Sequence, residues 1–449
     1  MLQYKITLVL AHSRIRGSTA AEIASSVEQA IDAGTLGPGG RLPTIRELAS
    51  TLRVSPVTVA AAYRLLHARG LVTGGGRRGT HVRRAAQAHQ SAATMSEPLA
   101  GTVDLATGNP DPELLPQLGP HLQSLAHIHH PYGQPLEFRP LVAFAAAEFE
   151  DDGIPGHSIT ITSGALDAID RVLREHVRAG DRVVIEDPTL PALLDLLHAR
   201  GLVAQGCRID DEGPEPDGFQ RALGSPVRAV ILTPRAQNPT GAAVGAARAS
   251  ELRKMLRRQA GALLIEIDPA GPVSGVPAVT FVEPSRPHWA VVRSTSKFLG
   301  PDLRVAVMAS DATTAGRVQR RQALGIRWVS HLLQALTLAL WSDPSSGRRL
   351  ARAADVYRQR RTTLIDALAA FGIDSHARSG FNVWVPIREE AGAVSALAAR
   401  GWAVAAGERF RLRSAPAIRV TTSALASHEA QRFAADLAAV IRPVAATSA

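Results

Sequence analysis

"WAVVRSTSKFLGPDLR", residues 289–304, opens as a short apolar run and turns at once into hydroxyls, a lysine and a Gly-Pro pair. An apolar run of that length, stopped by a turn signal, predicts a strand buried on both faces. Four more stretches read the same way: "SITIT" (158–162), "RVVIED" (182–187), "RAVILTP" (228–234) and "ALLIEID" (262–268). Helical patterns rich in Ala and Leu separate them. Continuous apolar strands spaced by helices predict an α/β fold on a mainly parallel sheet covered on both faces. Sites in such sheets gather where the strands end.

In order, those ends are "TSGALDA" (162–168), "EDPTLPA" (186–192), "PRAQNPTG" (234–241), "EIDPAG" (266–271) and "STSKFLGPDLR" (294–304). Ser163, Gly164 and Ala165 open a helix whose backbone N–H groups and dipole suit a phosphate. Lys297 is one of three lysines in a chain with 50 basic side chains. Only an amine can shed its proton and form an imine, a task closed to arginine. Arg304, as a fork, and Ser294 or Ser296, by hydroxyl, are placed to bind a phosphate beside it.

Further out, 449 residues allow two or three domains. A hydrophobic content of 45% with 20% charged residues is the balance of a soluble globular protein, not of a disordered chain. The single cysteine, Cys207, excludes an intramolecular disulfide framework, suits a reducing compartment and reads as a small buried side chain. The early apolar run "ITLVLA" is too short for a secretory segment, and no stretch approaches the ~20 apolar residues of a membrane span. The expected location is the cytoplasm, away from membranes.

The net charge of +10 is concentrated: residues 1–84 hold 12 Lys/Arg against 4 Asp/Glu. A basic N-terminal unit beside a nearly neutral remainder points to a polyanion partner for that unit alone. From Ser18 to Ala33, Ile23, Val27, Ala30 and Ile31 recur at helical spacing, and "GTLGPGG" ends the helix. Thr44 and Glu47 form a capping-box start. Ser55, with Pro56 in the first helical position, opens a third helix that runs to Gly70. The second and third helices make a helix-turn-helix that can present Ser55, Val57, Thr58 and Tyr63 to double-stranded DNA. "LVTGGGRRGTHV" (71–82) then reads as a hairpin wing with Arg77 and Arg78 at its tip.

Residues 39–82 closely resemble the winged-helix domain of GntR-type transcription regulators. By that resemblance Arg46, Ser55, Thr58, Tyr63 and Gly79 face DNA, and Arg41 is grouped with them. Pro56 stands where the family usually has arginine, which leaves that contact open and gives the wing arginines compensating phosphate contacts. The strand-end motifs resemble fold-type I pyridoxal-phosphate aminotransferases over about residues 103–440. Together the two parts resemble the MocR group of bacterial regulators, in which an aminotransferase-like domain senses an effector. The expected organisation is a winged helix-turn-helix at 1–84, a linker at 85–101 and the aminotransferase-like domain at 102–449. Its small C-terminal α/β subdomain begins near 345.

This resemblance implies that Lys297 is the Schiff-base lysine for pyridoxal 5'-phosphate, and that Ser163, Gly164, Ala165, Ser294 and Arg304 contact the phosphate. Asn238 falls on the residue that bonds the cofactor's ring oxygen, Arg419 on the residue that holds a ligand carboxylate, and Tyr132 on the segment that reaches the partner subunit's site. A head-to-tail homodimer follows, with an amino compound as effector.

Three positions depart from the family. In an ungapped match the aspartate that pairs with the pyridine nitrogen falls on Ile267; either a one-residue shift lets Asp268 serve, or no carboxylate does, and Asp268 is the expectation. Pro269 replaces a tyrosine, and Leu190 stands where an aromatic commonly stacks on the ring. These losses favour a sensor over a working aminotransferase. A DNA-binding protein whose large domain is only a dimerisation scaffold is a third reading. His127, His129 and His130 lack the partners of a metal site and read as surface or helix-end residues, so no metal is expected.

Overall fold

Caps fix the helices of the N-terminal unit in the computed structural model, which describes residues 15–37, 39–68, 71–74, 79–82, 101–125, 128–155 and 158–441. Helix α1 (Ala20–Asp32) starts at a capping box in which Thr19 accepts from the Glu22 amide and the Glu22 side chain answers to Thr19. Helix α2 (Ile45–Leu52) starts on the predicted box of Thr44 and Glu47 and ends at Arg53 in the left-handed region. Before helix α3 (Pro56–Ala68), the Ser55 hydroxyl accepts from the Thr58 amide at 3.1 Å. Ile23, Val27, Leu42, Leu48, Val59 and Leu66 close the core between these helices. Strands β1 (Val72–Gly74) and β2 (Thr80–Val82) pair antiparallel, as a wing requires. Arg77, Arg78, His127, the expected linker up to residue 100 and the final "RPVAATSA" (442–449) lie outside the described residues.

The large unit opens with strand β3 (Val103–Leu105) and helix α4 (Arg139–Asp151). Strand β4 (Ile159–Thr162) leads into helix α5 (Ala165–His176), followed by strands β5 (Arg182–Asp187), β6 (Val203–Asp210), β7 (Gly213–Pro214) and β8 (Ala229–Leu232). Helix α6 (Ala246–Arg257), strands β9 (Leu263–Asp268), β10 (Trp289–Ser294) and β11 (Ala306–Ser310), and helices α7 (Ala312–Ala323) and α8 (His331–Ser342) complete the frame. The sheet order is β4-β11-β10-β9-β8-β5-β6-β7. The pairs β5/β8, β8/β9 and β9/β10 are parallel, while β11 runs antiparallel to both β10 and β4. Strands β4, β8, β9, β10 and β11 are fully buried, which accounts for the continuous apolar runs in the sequence.

Register positions the site. Thr162 pairs with Ala306, and Ala306 with Ser294, so the ends of β4 and β10 lie in one row across three strands. At the strand spacing of about 4.8 Å, the turn after Thr162 and the turn after Ser294 emerge roughly 10 Å apart on the same edge.

Helix α9 (Pro344–Ala369) leads to a second sheet of β12 (Asn382–Pro386), β13 (Trp402–Ala406) and β14 (Ala417–Thr421), backed by helix α10 (Ser427–Ile441). Its order is β12-β14-β13-β3, so its fourth strand comes from residues 103–105 rather than from the C-terminal part alone. Trp402, Phe433, Leu364 and Leu105 share its core. Among the described residues no helix is long and apolar enough to cross a membrane.

Candidate functional site

Beyond β10 the chain makes a tight turn in which the Thr295 hydroxyl donates to the Val305 carbonyl at 2.7 Å. The buried rings and methyls of Phe298 and Leu299 anchor that turn. Lys297 directly precedes these anchors, and its amine donates to the Gly108 carbonyl and faces the Phe381 ring at 5.9 Å. Burial, and after it the guanidinium of Arg419, push the amine down to about 8. Both causes disfavour the ammonium and leave a fraction of the nitrogen neutral near pH 7.

Arg419 comes from β14 of the second sheet and is itself buried. It donates to Asn238 Oδ1 at 3.1 Å and to the Ala106 carbonyl, and packs over the Phe410 ring at 4.9 Å. Burial lowers it to about 10, with Arg409 acting in the same direction and Asp104 opposing. Its Nε is shielded from solvent and has no hydrogen-bond partner. An unpaired buried guanidinium nitrogen is costly, and an acidic ligand would satisfy it. Gly108 makes the approach possible: it sits at φ +70°, and a Cβ there would lie 3.3 Å from Arg419 Nη2.

The second half of the site is the start of α5. Gly164 caps that helix at φ +94° without a side-chain hydrogen bond. A Cβ on it would lie 3.2 Å from Arg304 Nη2. Missing side chain, open helix start and adjacent guanidinium together form a cradle for an anion. Ser163 is tied in place by its amide, which donates to Asp167 at 3.0 Å. Ser294 is buried and its hydroxyl accepts from the Ser296 amide at 3.3 Å; Ala165 begins the helix.

Asp268 is a correction. Its carboxylate accepts from Arg235 at 2.7 and 3.1 Å, from Arg293 at 2.8 Å and from the Gly271 amide at 3.0 Å. Burial works against its charge, yet Arg235 and Arg293 hold the carboxyl well below its usual range. Arg293 lies over the Phe149 ring of α4 and also pairs with Asp152, so this network belongs to the sheet face covered by α4. Neighbouring strand residues point to opposite sides, which turns Ile267 and Ser294 to the other face. Asp268 is therefore a structural counter-ion, and Ile267 lies on the sheet face that Ser294 shares.

The residues present fit a phosphorylated aldehyde at two ends, the amine of Lys297 and the cradle of Gly164 and Arg304. Asp268, the carboxylate expected to face its ring, is engaged by Arg235 and Arg293 on the opposite sheet face. Ala106, Gly108, Phe381 and Phe410 were not foreseen from sequence; the one signal was "TGNP" (107–110), a Gly-Asn-Pro turn directly after β3. Tyr132 is 82% exposed, with Trp328 and Arg327 beside it. His130 stacks on His331, and among the described residues no three His, Cys, Asp or Glu side chains converge on a metal site.

In the head, Val57 is 72% exposed, and Arg46 and Ser55 are also open to solvent. Thr58 is half-buried and shares a 2.8 Å hydrogen bond with Ser55. Gly79, at φ +76°, lets the exposed Arg41 approach the wing. Tyr63 is a second correction: it is 4% exposed and its hydroxyl donates to the Pro43 carbonyl at 2.7 Å. It faces the core with Val59, Ala62 and Leu66, not a DNA groove.

Residues 137–437 match the aminotransferase class I and II family, and residues 19–82 match the bacterial regulatory proteins of the gntR family. The vitamin B6 salvage pathway transcriptional repressor PtsJ of Salmonella typhimurium is 41% identical over 426 residues, covering 94% of this chain and 98% of the relative. The HTH-type transcriptional regulator TauR of Rhodobacter capsulatus is 26% identical over 82% of this chain and 83% of its own length. Among solved structures, kynurenine aminotransferase of Pyrococcus horikoshii superposes with a TM-score of 0.71 at 20% identity, over 80% of this chain and 94% of that one. That likeness establishes the fold-type I architecture of the large unit.

Proposed function

The chain belongs to the MocR-type regulators, which join a gntR-family DNA-binding head to an aminotransferase class I and II domain, and from that premise we propose that it holds pyridoxal 5'-phosphate on Lys297 and senses an amino compound there. The observation that carries this reading is the buried amine of Lys297, lowered to about 8 beside Arg419. When bound, the cofactor supplies an aldehyde that exchanges one primary amine for another. Ser163, Gly164, Ala165, Ser294, Ser296 and Arg304 would hold its phosphate, and Asn238 its ring oxygen. Arg419 would take the carboxylate of an effector as a fork. Tyr132, open to solvent in one protomer, would reach the partner's site in a head-to-tail homodimer.

Arg419 also links the effector to shape. Its hydrogen bonds to Asn238 and Ala106 tie β14 to the strand-end loops. A carboxylate on the guanidinium competes with those bonds, so the bound effector would favour an arrangement in which β14 is released from those loops. That difference is what biases the DNA-binding heads. With Ile267 in place of a carboxylate, the large unit serves exchange and sensing better than turnover.

A second reading has the vitamer itself as the signal. The name of the 41% identical relative PtsJ ties that protein to vitamin B6 salvage. A site without a carboxylate for the ring, and with Leu190 and Pro269 where aromatics commonly stand, releases its cofactor easily enough to report its concentration.

Borohydride treatment of protein saturated with pyridoxal phosphate, followed by peptide mass mapping, should find the reduced adduct on Lys297. An unmodified Lys297 overturns the proposal. Fluorescence anisotropy on operator DNA separates the two readings: a response to the vitamer alone favours the second, and a response that needs an added amine favours the first.

A further inference from the structure

The parallel strands have a second end, and it carries a cluster that the Lys297 site does not use. Arg228 directly precedes β8, Leu263 begins β9, His288 directly precedes β10, His176 is the last residue of α5, and Arg317 stands on α7. With Gly261 they line an open cavity of about 250 Å³. Two arginines and two histidines thus surround one space with no acidic side chain in its lining.

The His176 and His288 rings lie 5.2 Å apart, tilted by 56°. His288 Nδ1 is shielded from solvent and lacks a hydrogen-bond partner. His176 Nε2 meets the Thr314 hydroxyl at 3.0 Å. Arg317 gives one nitrogen to the Glu175 carbonyl at 3.3 Å, which caps the end of α5. Capping a helix end needs one such donor; a second arginine and two histidines go beyond it. The carboxylate whose charge reaches His176 is Asp311, and its oxygens already accept from the Thr314 amide and hydroxyl and from the Trp289 amide. Arg228 and Arg317 bring two guanidiniums to one space, a favourable setting for an anion.

We propose that this cavity binds a small phosphate-bearing dianion at a site separate from Lys297. Guanidinium forks match phosphate oxygens, and the histidines add donors whose number grows as they protonate. The volume holds a phosphate with a small organic remainder, and the recess excludes a duplex. Six residues of β10 separate His288 from the Lys297 turn, about 20 Å along the strand. Helix α5 runs about 18 Å from the Gly164 cradle to His176 and joins the two anion positions through one rigid element.

Proton linkage follows. Burial holds His176 at about 4, and His288, Arg317 and Arg228 push the same way against Asp311. An anion among these groups opposes that shift, so its binding raises the proton affinity of His176.

The test is isothermal titration calorimetry on full-length, cofactor-treated and desalted protein with inorganic phosphate and with phenyl phosphate. Wild type should take up one more equivalent per chain than R228Q or R317Q, or bind it at least about tenfold more tightly. Tighter binding of phenyl phosphate identifies a monoester as the ligand; equal binding identifies phosphate itself. Because the result is a difference between wild type and variants, it stands whether or not Lys297 holds the cofactor. Equal phosphate uptake by wild type and both variants, no uptake by wild type, or a loss confined to duplex DNA binding each overturns the proposal. Both variants replace side chains at least partly open to solvent, and a circular dichroism melt matching wild type confirms that they fold.

Discussion

Replacing Lys297 by methionine should change how stability depends on pH, by an amount the site fixes. The amine titrates at about 8 in the folded chain, against 10.5 for an ordinary lysine. Below pH 8 the lysine is charged in both folded and unfolded states, and the fold carries the full burden of a buried ammonium. Between about 8 and 10.5 the unfolded state binds more protons than the folded state, so stability rises with pH. Above 10.5 both states are neutral and the burden is gone. The shift corresponds to about 3 kcal/mol. Burial causes most of it, since Arg419 ranks second. In K297M this contribution vanishes, whereas the other titrating groups remain common to both proteins and cancel. Urea unfolding of cofactor-free wild type and K297M, followed by tryptophan fluorescence at pH 7 and pH 10.5, reads the difference directly. The stability gap between the two proteins should move by about 3 kcal/mol in favour of wild type on going to the higher pH. A gap that stays constant within about 0.5 kcal/mol would refute the claim that the amine is held largely by burial, and with it the basis for a nucleophile at neutral pH.

Ile267→Asp should lower the thermal midpoint of cofactor-free protein and raise the gain in midpoint on adding pyridoxal phosphate above that of wild type, because a new buried carboxylate finds its partner only in the ring nitrogen; an unchanged gain counts against the placement of Ile267. Asp268→Asn removes the more deeply buried of the two carboxylates that Arg235 and Arg293 share, leaving them Asp152, so urea unfolding should show a loss of about 3 kcal/mol, with cofactor uptake on Lys297 retained in whatever protein remains folded. Tyr63→Phe should destabilise the head by roughly 1–3 kcal/mol through the lost bond to Pro43, while operator affinity measured by anisotropy well below the melting range stays within about twofold.

What was legible in the sequence was local. Thr44 with Glu47 and Ser55 with Pro56 announce helix starts because the capping partners lie within three or four residues. The buried strands announce themselves by unbroken apolar runs, and Lys297 by being an amine among arginines. Tyr63 was legible too, since Val59, Ala62, Tyr63 and Leu66 repeat at core spacing, but resemblance to a DNA-facing position displaced that signal. Asp268 was not legible. Which face of β9 it takes depends on Arg293 in the paired register of β10 and on Asp152 beyond α4, partners 25 and more than 100 residues away. The pairing of β3 with β13, about 300 residues apart in sequence, is of the same kind.

Lys297 and Arg419 are coupled in a way that bears on how an effector is read. Arg419 depresses the lysine because two positive charges share a buried site, and the lysine's protonation state therefore depends on what lies against the guanidinium. On the proposed function, a carboxylate placed on Arg419 would cancel that charge and satisfy the orphaned Nε, raising the proton affinity of the Lys297 amine once an amine ligand has displaced it. A protonated lysine is a poor competitor for an aldehyde, so the carboxylate of the effector favours exchange by its amine. The same contact loosens Arg419 from Asn238 and Ala106, which are the bonds that seat β14 against the strand-end loops. On the proposed function, one buried guanidinium would thereby convert recognition of an amino acid's two ends into both amine exchange at Lys297 and release of β14 from the strand-end loops. A primary amine without a carboxylate would achieve the first only, and should leave the DNA-binding head unaffected.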